Sequence, residues 1–271
     1  MKVYCIISDE RAYQLKSPAI FSAVLHRLGI KATYVPFMVK PKDLGQALQS
    51  LRTLNIAGAN ITVPYKEACI PFLDILSEGA NIIGAINTIV CTGNELKGYN
   101  TNAIGIMDAL SDAGFDAEGK SALVVGTGGA AKAAVFILNW LRTSAVYVSG
   151  RNPVKTVEVA NRFHGEAVSF SDLAEGPLQV DIVVNATSVS SVDESPEMAD
   201  LAGRLDLPGC RLVLDLNYGR RQNFWEEMAA ARGVPFMDGL SALAFQARRT
   251  FALWTGVQVP PEEFLKALEE S

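Results

Sequence analysis

The residues best suited to chemistry lie in the stretch Asn60-Ile61-Thr62-Val63-Pro64-Tyr65-Lys66. Ala59 to Val63 reads as a short buried strand that stops at Pro64, because proline cannot continue a ladder. Lys66 then stands just past a strand end, where open α/β sheets place ligand chemistry. A lysine there is either a desolvated acid or base working near neutral pH, or a solvated surface charge. Two more polar clusters close later strands, Asn87-Thr88 and Gly98-Tyr99-Asn100-Thr101-Asn102. Taken singly, each is explained by turn chemistry, with Thr101 or Asn102 capping a helix that runs to about Ala113. Three clusters at successive strand ends, with a lysine among them, favour a hydrogen-bonding pocket for a polyol-like ligand.

A second kind of chemistry is written in Gly126-Thr127-Gly128-Gly129-Ala130-Ala131, between the apolar run Ser121–Val125 and an Ala-, Val- and Leu-rich segment reaching about Leu141. Gly-x-Gly-x-x-Ala between strand and helix is a dinucleotide-binding turn. Its glycines let the backbone approach a pyrophosphate at the positive end of the helix. The next strand, Ala145–Ser149, is followed by Gly150-Arg151-Asn152-Pro153-Val154-Lys155. A carboxylate there would bond the ribose 2′-hydroxyl of NAD; two cations suit a 2′-phosphate, so NADP is the expected cofactor. Arg151 also admits the plain reading of a surface residue.

Elements that could position these groups alternate along the chain. Strands are expected at 2–7 and 32–37, with helices opening at Ser17-Pro18 and near 41–53. A helical segment near 71–77 is expected next. After it comes a hairpin turning at Thr92-Gly93-Asn94-Glu95, placed at one edge of a mostly parallel sheet. Beyond residue 145, apolar runs at Ala167-Val168, 180–185, 211–216 and 234–237 continue the alternation, with a helix at about 223–232. The polar segment 188–208 reads as a loop without period. From Asp238-Gly239-Leu240 a helix carries Leu243, Ala244, Ala247, Phe251 and Trp254 on one stripe, and Pro260-Pro261 opens a last helix. Gln246 lies off that stripe, as a solvated flank residue or a ligand contact.

Composition narrows the classes. Of 271 residues, 49% are hydrophobic and 20% charged, which allows a sizeable core in one large or two modest domains. A net charge of −5 gives no basic patch for nucleic acid. Cys5, Cys69, Cys91 and Cys210 show no CxxC pairing and no neighbouring histidine, so neither a metal site nor a disulfide framework is expected. With no signal-peptide layout and no membrane-length apolar run, a cytoplasmic protein without membrane partners is expected.

Together these segments resemble the shikimate dehydrogenase family over nearly the whole chain. The residues carrying the resemblance are 60–67, 84–88, Asn100-Thr101, 126–130, Asn185-Ala186-Thr187-Ser188, Asp238-Gly239-Leu240, Gln246-Ala247 and 251–256. It implies an α/β fold in which an N-terminal substrate domain (1–102, with 238–271 returning to it) is joined to a Rossmann-type NADP domain (103–237). A cleft is expected between them. The implied reaction is reversible NADP-dependent reduction of 3-dehydroshikimate to shikimate, a cyclic hydroxy acid of aromatic amino-acid biosynthesis, by a monomer or homodimer. By motif, Lys66 matches the catalytic lysine, and Asn60, Thr62, Asn87 and Gln246 match residues that hold ring hydroxyls. Ser17 matches a serine that binds the carboxylate, although it also explains itself as an N-cap, and Tyr218 matches a tyrosine near that carboxylate. The cofactor side comprises Gly126, Thr127, Gly128, Gly129, Ala130, Arg151, Asn152, Lys155, Thr187 and Ser188, with Gly239 beside the nicotinamide.

The chain departs from the family pattern at four places. Asn102 replaces the catalytic aspartate, Leu15 replaces a serine, Val189-Ser190-Ser191 follows Asn-Ala-Thr-Ser, and Gly219 replaces a proline after Tyr218. Asn102 can bond a hydroxyl but takes no proton, and loss of that negative charge predicts a lower pKa for Lys66. Related ring substrates such as quinate or aminoshikimate, or a catalytically impaired metabolite-binding homologue, are the alternatives these departures raise.

Overall fold

In the computed structural model, which describes residues 1–270, the opening apolar run forms β1 (Lys2–Ser8). Alternation sends Tyr4 and Ile6 to one face and Cys5 and Ile7 to the other, and all four are buried, so this strand is covered on both sides. β2 (Ala32–Met38) and β3 (Gly58–Ile61) flank it in parallel. β4 (Ile75–Leu76), β5 (Thr88–Thr92) and β6 (Glu95–Tyr99) complete a sheet of order β2-β1-β3-β5-β6-β4. The hairpin β5-β6 turns at Gly93-Asn94 as expected, but it lies inside the sheet, because β4 pairs outside β6.

Helices cover this sheet as their apolar spacing requires. α1 (Ser17–Arg27) buries Ile20, Phe21, Val24 and Leu25, and α2 (Leu44–Thr53) buries Leu44, Leu48 and Leu51. The segment expected to be helical at 71–77 is instead a single 3₁₀ turn, Ile70–Phe72, followed by β4. The stronger start signal is Ser77, whose hydroxyl accepts from the Ala80 amide and opens α3 (Glu78–Ile83).

α4 (Asn102–Asp112) leads into a second sheet built of β7 (Ser121–Val125), β8 (Ala145–Ser149), β9 (Glu166–Ala167), β10 (Ile182–Asn185), β11 (Leu212–Asp215) and β12 (Phe236–Met237). Every pairing is parallel, in the order β12-β11-β10-β7-β8-β9. α5 (Gly129–Trp140), α6 (Pro153–Arg162), α7 (Phe170–Glu175), α8 (Pro196–Arg204) and α9 (Phe224–Ala231) are the crossovers. α8 corrects the loop expected across 188–208. Ser195 caps it, Pro196 occupies its first turn, and Met198, Leu201 and Ala202 are buried at helical spacing. α10 (Leu240–Thr255) and α11 (Pro261–Glu269) end the chain.

Two compact units result, Met1–Gly105 with Leu243–Ser271, and Ile106–Ala242. The divisions fall inside α4 and α10, a few residues beyond the junctions read from sequence at 102/103 and 237/238.

Candidate active site

In the first unit, strand direction gathers the polar clusters. β3 runs parallel to β1 and β5 returns antiparallel, so the end of β3 and the start of β5 share one sheet edge. β6, antiparallel to β5, ends at that edge too. Backbone bonds bind the segments: Thr62 N donates to Ile7 O at 3.2 Å, Ile61 N to Asn87 O at 2.9 Å and Asn87 N to Tyr99 O at 3.0 Å. Ile86 N donates to Lys66 O at 2.8 Å, which draws the lysine's backbone to the same place. Thr62, expected inside the strand, lies just past its end. Ser17 follows β1 from this edge after one 3₁₀ turn, Glu10–Gln14.

Some of these side chains are spent inside the fold. Asn60, buried, accepts from Tyr34 Oη at 2.8 Å and donates both Nδ2 hydrogens, to Asn87 O at 3.0 Å and Thr88 Oγ1 at 3.2 Å. Asn87 Oδ1 accepts from Thr101 N at 2.6 Å, while its Nδ2 donates to Thr101 Oγ1 at 2.8 Å and Gln246 Oε1 at 2.7 Å. Gln246 is therefore no solvated flank residue: α10 carries it inward, and Thr101 Oγ1 also donates to its Oε1 at 3.1 Å. Asn60 and Asn87 have no donor left for a ligand and can only accept through the remaining oxygen lone pairs.

Other side chains remain available. Ser17 stands at the first helical position rather than at the N-cap, which is Lys16, and its hydroxyl makes no capping bond. Asn100 caps α4, in place of Thr101 or Asn102, with Oδ1 accepting from Ala103 N at 3.2 Å and Nδ2 donating to Ala85 O at 3.0 Å. Asn102 itself begins that helix half-buried, so its amide is not consumed as a cap. Lys66 is also half-buried, and desolvation alone pulls its pKa from 10.5 down to about 8.

The second unit presents the glycine turn. Gly126 has φ +128°, and a Cβ there would stand 3.0 Å from the Ala186 carbonyl, so only glycine fits. Gly128 is the N-cap of α5 and has open space where a Cβ would be, leaving its backbone approachable by a phosphate. Thr127, Gly129 and Ala130 complete this turn and the first helical residues. Past β8, Arg151, Asn152 and Lys155 are exposed, and the Asn152 carbonyl oxygen Oδ1 accepts from Lys155 N at 3.1 Å as the cap of α6. No carboxylate stands among residues 149–155, so the cations are the charged groups available to an adenosine ribose.

Beyond β10, Thr187 spends its hydroxyl on Asn185 Oδ1 at 2.8 Å and Val189 O at 3.1 Å, while Ser188 is exposed. This loop is held by buried Asp215, which accepts from Asn185 Nδ2 at 2.8 Å, Asn217 Nδ2 at 3.0 Å and Asn223 Nδ2 at 2.7 Å. Tyr218 is half-buried in the loop after β11. Gly239 packs on that same loop: its N–H donates to Asn217 O at 2.9 Å, and a Cβ would meet Leu216 O at 2.4 Å. Among the described residues no cluster of His, Cys, Asp and Glu could hold a metal.

Sequence reasoning missed Tyr34 and Thr250, both joined to the buried network, and placed Thr88 in a polar cluster without a role of its own. Thr250 carried one signal, its position one helical turn after Gln246.

Known proteins are similar to this chain along nearly its whole length. Residues 10–89 match the family described as shikimate dehydrogenase substrate binding domain, and residues 109–219 match shikimate / quinate 5-dehydrogenase. The shikimate dehydrogenase (NADP(+)) of Desulforamulus reducens is 37% identical over 265 residues, covering 94% of this chain and 90% of its own length. The crystal structure of the shikimate 5-dehydrogenase of Thermus thermophilus, in complex with NADP(H) and shikimate, is 32% identical with a TM-score of 0.86, covering 100% of this chain and 99% of the other. That of shikimate dehydrogenase from Aquifex aeolicus is 30% identical with a TM-score of 0.87, covering 99% and 97%.

Proposed function

Because the chain belongs to the shikimate dehydrogenase family, we propose that it catalyses the reversible, NADP-dependent reduction of 3-dehydroshikimate to shikimate. The observation that carries this reading is Lys66, half-buried and pulled to about 8, at the sheet edge where Asn87, Thr101 and Gln246 form a polar network. Curated relatives carrying that activity are similar along nearly their full length, which supports a shared reaction rather than a shared fold alone.

In the oxidative direction, the neutral amine of Lys66 takes the proton of the reacting hydroxyl as the carbon loses hydride; in reverse, its ammonium returns that proton. NADP, when bound, accepts or supplies the hydride. Ser17 offers a hydroxyl to the substrate carboxylate, and Tyr218 is assigned to that group by motif alone. Thr62, Asn102 and Gln246 Nε2 address ring oxygens, and Asn87 Oδ1 accepts from a hydroxyl. Asn60 supports them by holding Thr88 and the Asn87 backbone. The turn at 126–130 and the start of α5 suit a pyrophosphate, and Arg151 and Lys155 suit a 2′-phosphate. Thr187, Ser188 and Gly239 belong to the loops assigned to the remainder of the cofactor.

Purified protein mixed with shikimate and NADP⁺ is expected to generate NADPH, with NAD⁺ a poorer partner. Absence of NADPH with shikimate across neutral to alkaline pH would overturn the assignment.

A further inference from the structure

Among the fully buried hydroxyls that the roles above leave unassigned, that of Thr250 on α10 joins the network at Asn87 and Gln246. A threonine hydroxyl has one hydrogen to give and two lone pairs, so counting hydrogens gives the network a direction. Thr101 Oγ1 accepts from Asn87 Nδ2 at 2.8 Å and gives its only hydrogen to Gln246 Oε1 at 3.1 Å. The hydrogen in the 3.0 Å bond between Thr250 and Thr101 must therefore come from Thr250. The hydrogen in the 2.9 Å bond between Thr88 and Thr250 is then that of Thr88, which itself accepts from Asn60 Nδ2 at 3.2 Å. Thr88 and Thr101 also approach at 3.3 Å, the longest of the three hydroxyl contacts and the one left without a hydrogen, so donation runs from Asn60 through Thr88, Thr250 and Thr101 to Gln246.

The chain ends on Gln246 Oε1, which also takes Asn87 Nδ2 at 2.7 Å. Two donors on that oxygen fix the amide with its carbonyl inward. Its Nε2 is left with two hydrogens that no described protein group accepts, on a side chain that is not completely sealed, at 9% exposure.

We propose that Thr250 is a positioning residue for the substrate site: it closes a one-way hydrogen-bond chain that locks the Gln246 amide, so that Gln246 acts only as a donor to a ring oxygen of the substrate. This rests on the shikimate reading given above. Without the Thr250 hydroxyl, a lone pair on Thr101 Oγ1 is freed to accept from a turned Gln246 amide, Thr88 loses an acceptor, and only Asn87 Nδ2 still holds the Gln246 carbonyl inward. A turned amide would offer a carbonyl where the ring oxygen needs a donor.

The test compares Thr250→Val, which keeps the shape and removes the hydroxyl, with Thr250→Ser, which keeps the hydroxyl. Steady-state kinetics are combined with the proton–nitrogen resonance of the Gln246 side-chain amide, assigned by its loss in Gln246→Ala. Thr250→Val is expected to raise KM for shikimate roughly tenfold, with kcat and KM for NADP within about twofold of wild type, as for loss of one ground-state hydrogen bond. Thr250→Ser should restore KM. In the wild-type protein, shikimate should shift the Gln246 amide resonance, and Thr250→Val should shift it without ligand. An unchanged KM with an unmoved resonance in Thr250→Val would overturn the proposal, as would KM for shikimate and NADP rising together without rescue by serine. Should Thr250→Val fail to fold, a wild-type Gln246 amide indifferent to shikimate would also overturn it. Failure of the functional reading looks different: the wild type then turns over no shikimate, while the Gln246 resonance of the ligand-free variant still reports on the lock.

Discussion

At the scale of single residues, the unusual feature is a lysine poised by burial alone. Desolvation penalises the ammonium of Lys66, and no neighbouring anion appears among the causes of its shift. In the family pattern a carboxylate occupies the position of Asn102, and returning it tests what its absence does. Asn102→Asp is expected to raise the Lys66 pKa by about one unit through opposite-charge attraction, moving the pH profile of shikimate oxidation to the alkaline side. An unmoved profile would mean that residue 102 does not face the lysine. The stability consequence has a definite sign as well. With its folded pKa near 8 against 10.5 unfolded, Lys66 burdens the fold fully below about pH 8, and the burden fades as pH rises toward 10.5.

At the scale of elements, backbone geometry rather than side-chain charge sets the glycine turn. Gly126→Ala forces a side chain into φ +128° against the Ala186 carbonyl, 3.0 Å away. The expected result is a loss of about 1–3 kcal/mol in urea unfolding together with weaker NADP binding; unchanged stability would contradict the strain argument. The glycine turn was legible because strand, spacing and helix occur together, as were most strands and the helices with clean apolar spacing. α8 was hidden because only Met198, Leu201 and Ala202 are buried along its nine residues, within a polar segment. The capping of α4 by Asn100 was missed because three consecutive polar residues offered the same chemistry, and only the Ala85 carbonyl decides between them. The apolar stripe of α10 left Gln246 open between a flank residue and a ligand contact and gave Thr250 no part; both are buried beside partners from far along the chain, Asn87, Thr88 and Thr101.

At the scale of the whole molecule, the proposed reading assigns substrate and cofactor to different units, so substitutions in one should spare the ligand of the other. Replacing both Arg151 and Lys155 by alanine is expected to raise KM for NADP roughly tenfold or more, by removing charge-assisted bonds, while KM for shikimate stays put. The preference over NAD should shrink accordingly; a preserved preference would move the 2′-phosphate contact elsewhere.

The central claim is that Lys66 is the proton acceptor and donor of this reaction. The most direct measurement is the pH dependence of kcat/KM for shikimate oxidation by the wild type beside Lys66→Ala, with NADP affinity measured for both. The wild-type rate should rise with pH and level off above about 8, where the amine is neutral, and Lys66→Ala should lose turnover while binding NADP as before. Turnover surviving in Lys66→Ala with the same pH profile would contradict the account.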